Sequence, residues 1–265
     1  MLELHQFELS PYCEKVRLIL DFKGLEYRKV EVTPGIGQID LYRLSGQRQV
    51  PVLRDGDEII HDSTAIALYL EEKFPETPLL PQDAQQRALV ELLEDWADNA
   101  LVKQARTAFL GSIGSDPGLR TALLPEQTPT PLKGLIGAIP GDALGLLGVG
   151  VGLGPDKVHE AKRDLERNLR SLSTRLEGQA YLLGNQPTLA DLTVAALSLF
   201  IRFPSQHIFD CPVDLRGRGI PGIADNPEFA RFFEWRDGIY RTWRQGAPAP
   251  ATAASSSGPT KISID

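Results

Sequence analysis

The proline-rich stretch FPETPLLPQD at positions 74–83 divides the chain into two parts with different hydrophobic patterns. Before it, short strand-like runs alternate with amphipathic helical segments. After it, apolar residues recur at every third or fourth position, which is typical of helices that bury one face. We therefore predict an α/β domain over residues 1–76, a linker over 77–82, an all-helical domain over 83–245 and a disordered tail, rich in Pro, Ala and Ser, over 246–265.

The first part has the predicted element order β-α-β-α-β-β-α. Its clearest local signals are Gly24, which stands where a helix ends, and the Asp55–Gly56 turn, which favours a β-hairpin. The predicted elements are strands at 2–6 and 27–32, helices at 11–23, 38–44 and 63–74, and a hairpin within 50–60.

The second part carries helical stripes and one strong helix-start signal. Thr188–Asp191 is a capping box with Asp as its acidic residue, and it predicts a helix that continues to Ile201. A stripe with spacings of four, three and four predicts the first long helix of this part, and its members are Leu89, Leu93, Trp96 and Ala100.

A glycine-rich apolar stretch interrupts the helical pattern at about 111–155. Its segment LKGLIGAIPGDALGLLGVGVGLG, at 132–154, is broken by a lysine, a proline and an aspartate, which excludes a membrane-spanning helix. We expect a loop or short helices packed on the domain. The alternatives are a lid over an apolar site and, less favoured, a membrane contact through 132–153.

Composition argues against several functions. The formal net charge of −7 argues against nucleic-acid binding, which needs a basic face. Two cysteines, Cys13 and Cys211, are too few for a disulfide framework and indicate a reducing, cytoplasmic location. The N-terminus lacks the basic and apolar regions of a signal peptide, and the histidines stand apart from one another, so we expect no metal site.

The stretch LSPYCEKVRLIL, which begins at Leu9, places a hydroxyl and a thiol at the start of the first helix. The unpaired N–H groups and the dipole at a helix start stabilise a thiolate, whether it belongs to the protein or to a ligand. Dithiol redox proteins of similar pattern carry a cysteine where this chain has Ser10. With a hydroxyl there, the site cannot form an internal dithiol, but it can activate a thiol that arrives as substrate. The simpler alternatives are that Ser10 only caps the helix and that Cys13 is a small buried residue.

Two further motifs point to a ligand with a peptide-like body. Val50-Pro51 enters a strand, where proline removes a ladder donor, and a cis bond there would leave the Val50 N–H and C=O free to pair with an extended ligand. Asp62-Ser63 opens the helix after the hairpin. Its hydroxyl and free helix N–H groups suit a carboxylate and its acid suits an ammonium, which together match the zwitterionic end of an amino acid.

These motifs resemble those of the soluble glutathione transferases, strongly over about 1–80 and more loosely over about 83–245. The resemblance implies a thioredoxin-like first domain that binds glutathione and an all-α helical-bundle second domain. It places Ser10 where theta- and tau-type members have a catalytic serine, whose hydroxyl donates to the glutathione sulfur and lowers its pKa. The glutathione-binding residues that it implies are Tyr12, Gln49, Val50, Pro51, Asp62 and Ser63.

The implied function is conjugation of the glutathione thiolate to an apolar electrophile, with glutathione as co-substrate, no other cofactor and a homodimeric assembly. Two alternatives stay open, namely a glutathione-dependent thiol transferase or reductase that uses Cys13, and a non-catalytic ligand-binding member. The joint presence of the three motifs favours catalysis, because a scaffold has no physical need for all of them. Candidates for the electrophile pocket are Trp96, Ala100, Arg106, Phe109 and Phe200.

Overall fold

The computed structural model describes residues 1–33, 37–123, 130–138, 154–205 and 215–244. Within these ranges no helix combines the length and the apolar character needed to cross a bilayer. The predicted tail at 246–265 lies outside the described residues, as does Cys211.

Four strands near the N-terminus form a mixed sheet in the order β2-β1-β3-β4. β1 pairs with β2 in parallel and with β3 antiparallel, and β3 and β4 form the predicted hairpin. Gly56 in its turn has a φ of 63°, a left-handed conformation that glycine adopts without steric cost. The strands are β1 Leu2–Gln6, β2 Tyr27–Glu31, β3 Val52–Asp55 and β4 Glu58–His61.

Three helices complete this unit in the predicted order: α1 Pro11–Phe22, α2 Gly37–Ser45 and α3 Ser63–Lys73. Successive strand residues face opposite sides of the sheet. Leu53 therefore joins the main core with α1 and α3, while Val52 packs with Leu41 of α2 in a small cluster on the other face. This arrangement confirms the thioredoxin-like prediction.

The rest of the described chain is helical and shares the main core. Helix α9, Leu189–Leu197, is buried along its whole length and packs against α1, which joins the two parts of the chain. α4 Ala84–Trp96 passes through a π-helical turn, Ala97–Leu101, into α5 Val102–Ser115. The later helices are α6 Pro117–Ala122, α7 Thr130–Gly137, α8 Pro155–Arg175, α9 Leu189–Leu197 and, after a 3₁₀ turn at Pro227–Phe229, α10 Ala230–Trp243.

The capping box of α9 is confirmed, but the predicted end of this helix is wrong. Asp191 accepts a hydrogen bond from the Thr188 N–H at 2.9 Å, as the motif requires. The helix ends at Leu197 instead of Ile201, because the N–H groups of Leu199 and Ile201 donate to carbonyls only three residues back and the chain continues in tight turns. The Ile201 carbonyl then accepts from the Ile220 N–H at 2.9 Å. Gly219 permits this approach, since a Cβ there would lie 2.0 Å from the Ile201 oxygen.

Helices α6 and α7 lie within the glycine-rich stretch, whose described residues also include the end of α5. Arg120 of α6 donates to the Ile136 carbonyl of α7 at 3.1 Å and so holds the two short helices together. Leu119 is buried, whereas Leu132 and Leu135 are exposed. Residues 124–129 and 139–153, and with them most of the possible lid or membrane contact at 132–153, lie outside the described residues.

Helix α1 is tied to the end of the described chain by buried ion pairs. Arg17 donates to Glu14 at 2.7 Å within the helix, and both side chains are fully buried. Arg244, which follows α10, donates to Glu14 at 3.0 Å and to Asp21 at 2.6 Å. Removal of one partner from such a cluster leaves a charge that is buried without compensation.

We expect Arg244→Met to lower the free energy of unfolding by about 3–5 kcal/mol, because Glu14 and Asp21 then lose a buried cation. Urea denaturation followed by circular dichroism measures this loss. Arg241→Met, an exposed substitution on α10, is the matched control and should change the midpoint little. Adding Asp21→Asn to Arg244→Met should recover part of the loss, because it removes the carboxylate whose only partner among the described ion pairs is Arg244, and an unchanged midpoint in Arg244→Met would contradict the assignment.

Candidate active site

A cavity of about 610 Å³ lies where the starts of α1 and α3, the approach to β3 and the π turn of the helical part meet. This volume is within the range of small-molecule sites. The residues predicted for catalysis and glutathione binding all line it, namely Ser10, Tyr12, Gln49, Val50, Pro51, Asp62 and Ser63. Cys13 is not among the described residues of the lining.

Ser10 is the N-cap of α1 and accepts a hydrogen bond from the Cys13 N–H at 3.3 Å. A hydroxyl that accepts in this way keeps its own proton to donate. Pro11 occupies the first helical turn, where its missing N–H and fixed φ suit a helix start. The cavity therefore contains an O–H donor beside a helix N-terminus.

Cys13 is fully buried in α1. Burial raises the pKa of its thiol, and hydrogen bonds from Ser10 and the Phe7 backbone offset this only in part. A thiol that stays protonated and out of contact with solvent is a weak nucleophile. Cys13 thus has the properties of a small core residue.

Val50 lies two residues before β3 and is joined to Pro51 by a cis peptide bond, which confirms that part of the sequence interpretation. Within the described residues, no backbone hydrogen bond outside the regular elements uses the Val50 N–H or C=O. These two groups therefore offer an extended ligand one donor and one acceptor.

Asp62 and Ser63 form the start of α3. Asp62 has a φ of 74°, the only positive value among the described residues other than glycine. Such a backbone conformation costs about 1–3 kcal/mol and persists where the surroundings hold it. The Asp62 carboxylate accepts from the N–H groups of Thr64 and Ala65 at 2.9 and 3.0 Å, and Ser63 is buried. An acid and a hydroxyl thus meet the cavity at a helix N-terminus.

A buried lysine connects the two walls of the cavity. The Lys15 ammonium donates to Thr64 Oγ1 of α3 at 2.9 Å. It also donates to Asp98 of the π turn at 3.0 Å and to Glu94 of α4. Lys15 is completely buried, and these partners compensate its charge. Its contacts also fix the position of α3 relative to the helical wall.

The helical wall of the cavity is polar. The Tyr12 hydroxyl donates to the Asp98 carbonyl at 3.3 Å and joins α1 to this wall. Burial and the nearby Asp98 raise the pKa of Tyr12, while Arg106 acts in the opposite direction, so the phenol keeps its proton at neutral pH. The wall residues are Asp98, Asn99, Lys103 and Arg106.

Sequence reasoning missed most of the polar lining outside the three motifs. Of the electrophile-pocket candidates, Arg106 lines the cavity, whereas Phe109 and Phe200 stack on each other with ring centroids 5.1 Å apart. The spacing of Asn99, Lys103 and Arg106 indicates a polar helix face. Because such a face usually points to solvent, the sequence offers no reason to predict that it lines a cavity. The missed residues are Phe7, Val32, Gln38, Gln47, Arg48, Asp98, Asn99 and Lys103.

The chemistry of this arrangement suits a thiol carried on a peptide-like molecule. It offers a hydroxyl donor at a helix start, unpaired backbone groups beside a strand, and an acid with a hydroxyl at a second helix start. Over the ranges that the structure covers, no three His, Cys, Asp or Glu side chains are grouped to hold a metal ion.

Comparison with known proteins agrees with this geometry. Residues 4–78 match the glutathione S-transferase N-terminal domain, and residues 152–210 match the glutathione S-transferase C-terminal domain. Glutathione S-transferase 1 of Dianthus caryophyllus is 48% identical over 91 residues, which are 33% of this chain and 41% of the relative. A zeta-class glutathione S-transferase of Euphorbia esula is 34% identical over 116 residues, 43% of this chain and 52% of the relative.

A crystal structure of a glutathione S-transferase from Rhodospirillum rubrum is 26% identical and superposes with a TM-score of 0.60, covering 91% of this chain and 88% of that chain. The chain therefore belongs to the glutathione transferase family. The match covers 41% of the Dianthus protein and 52% of the Euphorbia protein, so this chain spans only about two fifths to one half of these relatives.

We expect the Cys13 thiol to be inert in the native protein, because it is buried and protonated. In a Cys211→Ser background, its reaction with an aromatic disulfide reagent at pH 8 should be at least about a hundredfold slower than in urea-unfolded protein. The absorbance of the released aromatic thiolate measures both rates. Equal rates before and after unfolding would show that Cys13 is accessible and reactive.

Proposed function

We propose that this protein is a serine-type glutathione transferase that joins the glutathione thiolate to the carbon of an electrophilic small molecule. The observation that carries the proposal is the presence in one cavity of the Ser10 hydroxyl, the unpaired Val50 backbone groups and the Asp62-Ser63 pair. Each of these alone has a structural explanation, whereas their convergence matches the parts of one ligand.

Glutathione fits this cavity in one orientation. Its γ-glutamyl end meets α3, where Asp62 pairs with the ammonium and Ser63 with the carboxylate. The cysteinyl backbone pairs with the Val50 N–H and C=O as an added strand would. The glycyl carboxylate then lies towards the exposed Arg48, beside Gln49.

Ser10 activates the thiol in this orientation. Its O–H donates to the sulfur, and the N-terminus of α1 adds a favourable field, so the pKa of the bound thiol falls and its proton leaves to solvent. The thiolate then attacks the electrophilic carbon. A C–S bond forms with the sulfur electron pair, and the leaving group departs with the electron pair of the bond that breaks.

The burial of Cys13 favours this reaction over thiol transfer. A redox reaction needs Cys13 to form a mixed disulfide with glutathione, yet its thiol is fully buried and its pKa is raised. A non-catalytic scaffold needs Ser10 only as the N-cap of α1 and has no need for the three motifs to meet in one cavity. The proposal includes a homodimeric protein of the cytoplasm, with glutathione as co-substrate and no other cofactor.

Ser10→Ala should lower kcat about ten- to a thousandfold, a loss of about 1.4–4 kcal/mol from the activated thiolate. The affinity for glutathione should change little. The turnover of the variant should reach its plateau at a higher pH than that of the parent, because the pKa of the bound thiol is no longer lowered by the Ser10 hydroxyl. Stopped-flow measurement of thiolate absorbance gives its pKa in both proteins. Cys13→Ala is the matched control and should keep its turnover. Full activity in Ser10→Ala with loss of activity in Cys13→Ala would replace conjugation by thiol transfer.

Asp62→Asn should weaken glutathione binding by about 1–3 kcal/mol, because it removes the charge that pairs with the γ-glutamyl ammonium. Asparagine can still cap α3 and tolerates a positive φ, so the fold should persist. Isothermal titration with glutathione measures the change, and Asp57→Asn in the hairpin turn is the matched control. Equal affinities for both variants would mean that the γ-glutamyl end binds elsewhere.

A further inference from the structure

Two cations on the helical wall of the cavity have no carboxylate partner among the described residues. Asn99, Lys103 and Arg106 lie at i, i+4 and i+7 along one helix face, and all line the cavity. Lys103 makes one long contact of 3.4 Å with the Asn99 side-chain oxygen. The buried cations nearby are different, since Lys15 and Arg17 each have carboxylate partners.

The acidic residues of the cavity do not neutralise this pair. Asp98 stands next to it on the same wall, but its carboxylate is 3.0 Å from the Lys15 ammonium. The Asp62 carboxylate accepts from two helix N–H groups of α3. The helical wall therefore presents net positive charge to whatever enters the cavity.

The pair belongs to a different wall of the cavity from most of the groups assigned to glutathione. Val50, Asp62 and Ser63 belong to the thioredoxin-like part, whereas Lys103 and Arg106 belong to α5. Tyr12 connects the two walls. It lies in α1, two positions after Ser10, and its hydroxyl donates to the Asp98 carbonyl of the helical wall at 3.3 Å. Ser10, Tyr12 and the two cations line the same cavity, and Arg106 is close enough to Tyr12 to lower the pKa of its hydroxyl, against the larger effect of burial.

We propose that the electrophile carries an anionic group of the carboxylate type, which Arg106 and Lys103 bind while the reactive carbon meets the glutathione sulfur. The proposal rests on the proposed function and names the substrate class of the same site. Arginine holds a carboxylate through two parallel hydrogen bonds, and lysine adds a point charge. The electrophile still has the apolar body that the sequence analysis expects, and in addition it carries a negatively charged end that the helical wall binds.

The test compares 4-chloro-3-nitrobenzoate with its methyl ester, which differ in charge at a position remote from the reacting carbon. In both, the thiolate forms a C–S bond at the chlorinated carbon and chloride leaves with the bonding pair. Each kcat/KM is divided by the rate constant of the uncatalysed reaction with glutathione, since the two groups activate the ring differently. The selectivity is the ratio of the acid value to the ester value.

We expect the parent protein to prefer the acid and the double variant Lys103→Gln/Arg106→Gln to lose at least about tenfold of this selectivity, because charge-assisted contacts are lost. Lys157→Gln/Arg241→Gln removes two exposed cations outside the cavity lining and should keep the parent ratio. Circular dichroism and urea denaturation of each variant confirm that the fold is retained.

The outcomes separate this inference from the proposed function. Conjugation of the ester with no preference for the acid, and an unchanged ratio in the double variant, would overturn the inference and leave the function standing. A raised glutathione KM with an unchanged ratio would overturn it as well, since the cations would then serve glutathione. Conjugation of neither compound, together with no retention on a glutathione resin, would overturn both.

Discussion

The buried ammonium of Lys15 is the interaction on which the arrangement of this molecule depends. It lies in α1, between the sheet and the helical part, and it is completely buried. Two carboxylates of the helical part, those of Glu94 and Asp98, compensate this buried charge. The burial of Lys15 in α1 therefore depends on contacts from the second part of the chain. The two parts are best understood as one cooperative structure with a shared core.

The cavity is a direct result of this constraint. Because Lys15 also binds Thr64, the start of α3 is fixed relative to the π turn that supplies Asp98. The starts of α1 and α3 then open into the same space, and both helix N-termini favour negative charge there. A thiolate near α1 and a carboxylate near α3 are stabilised by the same fold geometry. The preference of the site for negative charge thus comes from the N-termini of two helices. The hydroxyls of Ser10 and Ser63 add hydrogen-bond donors at the same two places.

Local signals made the first part of the chain predictable. The hairpin turn, the glycine after α1, the Val50-Pro51 pair and the capping box of α9 are each specified by a few neighbouring residues, and the structure confirms them. Glutathione contacts from Ser10 and Asp62 stay predictions, because no ligand contact is decided by local sequence alone.

Tertiary contacts limited what could be predicted for the second part. The stripe that began at Leu89 marked a helix correctly, yet Leu89 is 50% exposed. The buried face of that helix instead contains Val90 and Glu94, because Glu94 is drawn inward by Lys15. A charged residue gives no sign in the sequence that a distant lysine will bury it. Lys103 of α5 was overlooked for a related reason, since a polar helix face is normally solvated.

The pairing of Glu14 with Arg244 has a consequence for the order in which the chain is made. These residues are 230 positions apart, and ribosomes release the chain from its N-terminus at about 5–20 residues per second. Helix α1 must therefore wait for tens of seconds before its buried glutamate gains this cation. Until then Glu14 has Arg17 of the same helix as a partner but lacks Arg244. The closing contact of the first helix can therefore form only after nearly all of the described chain has been made.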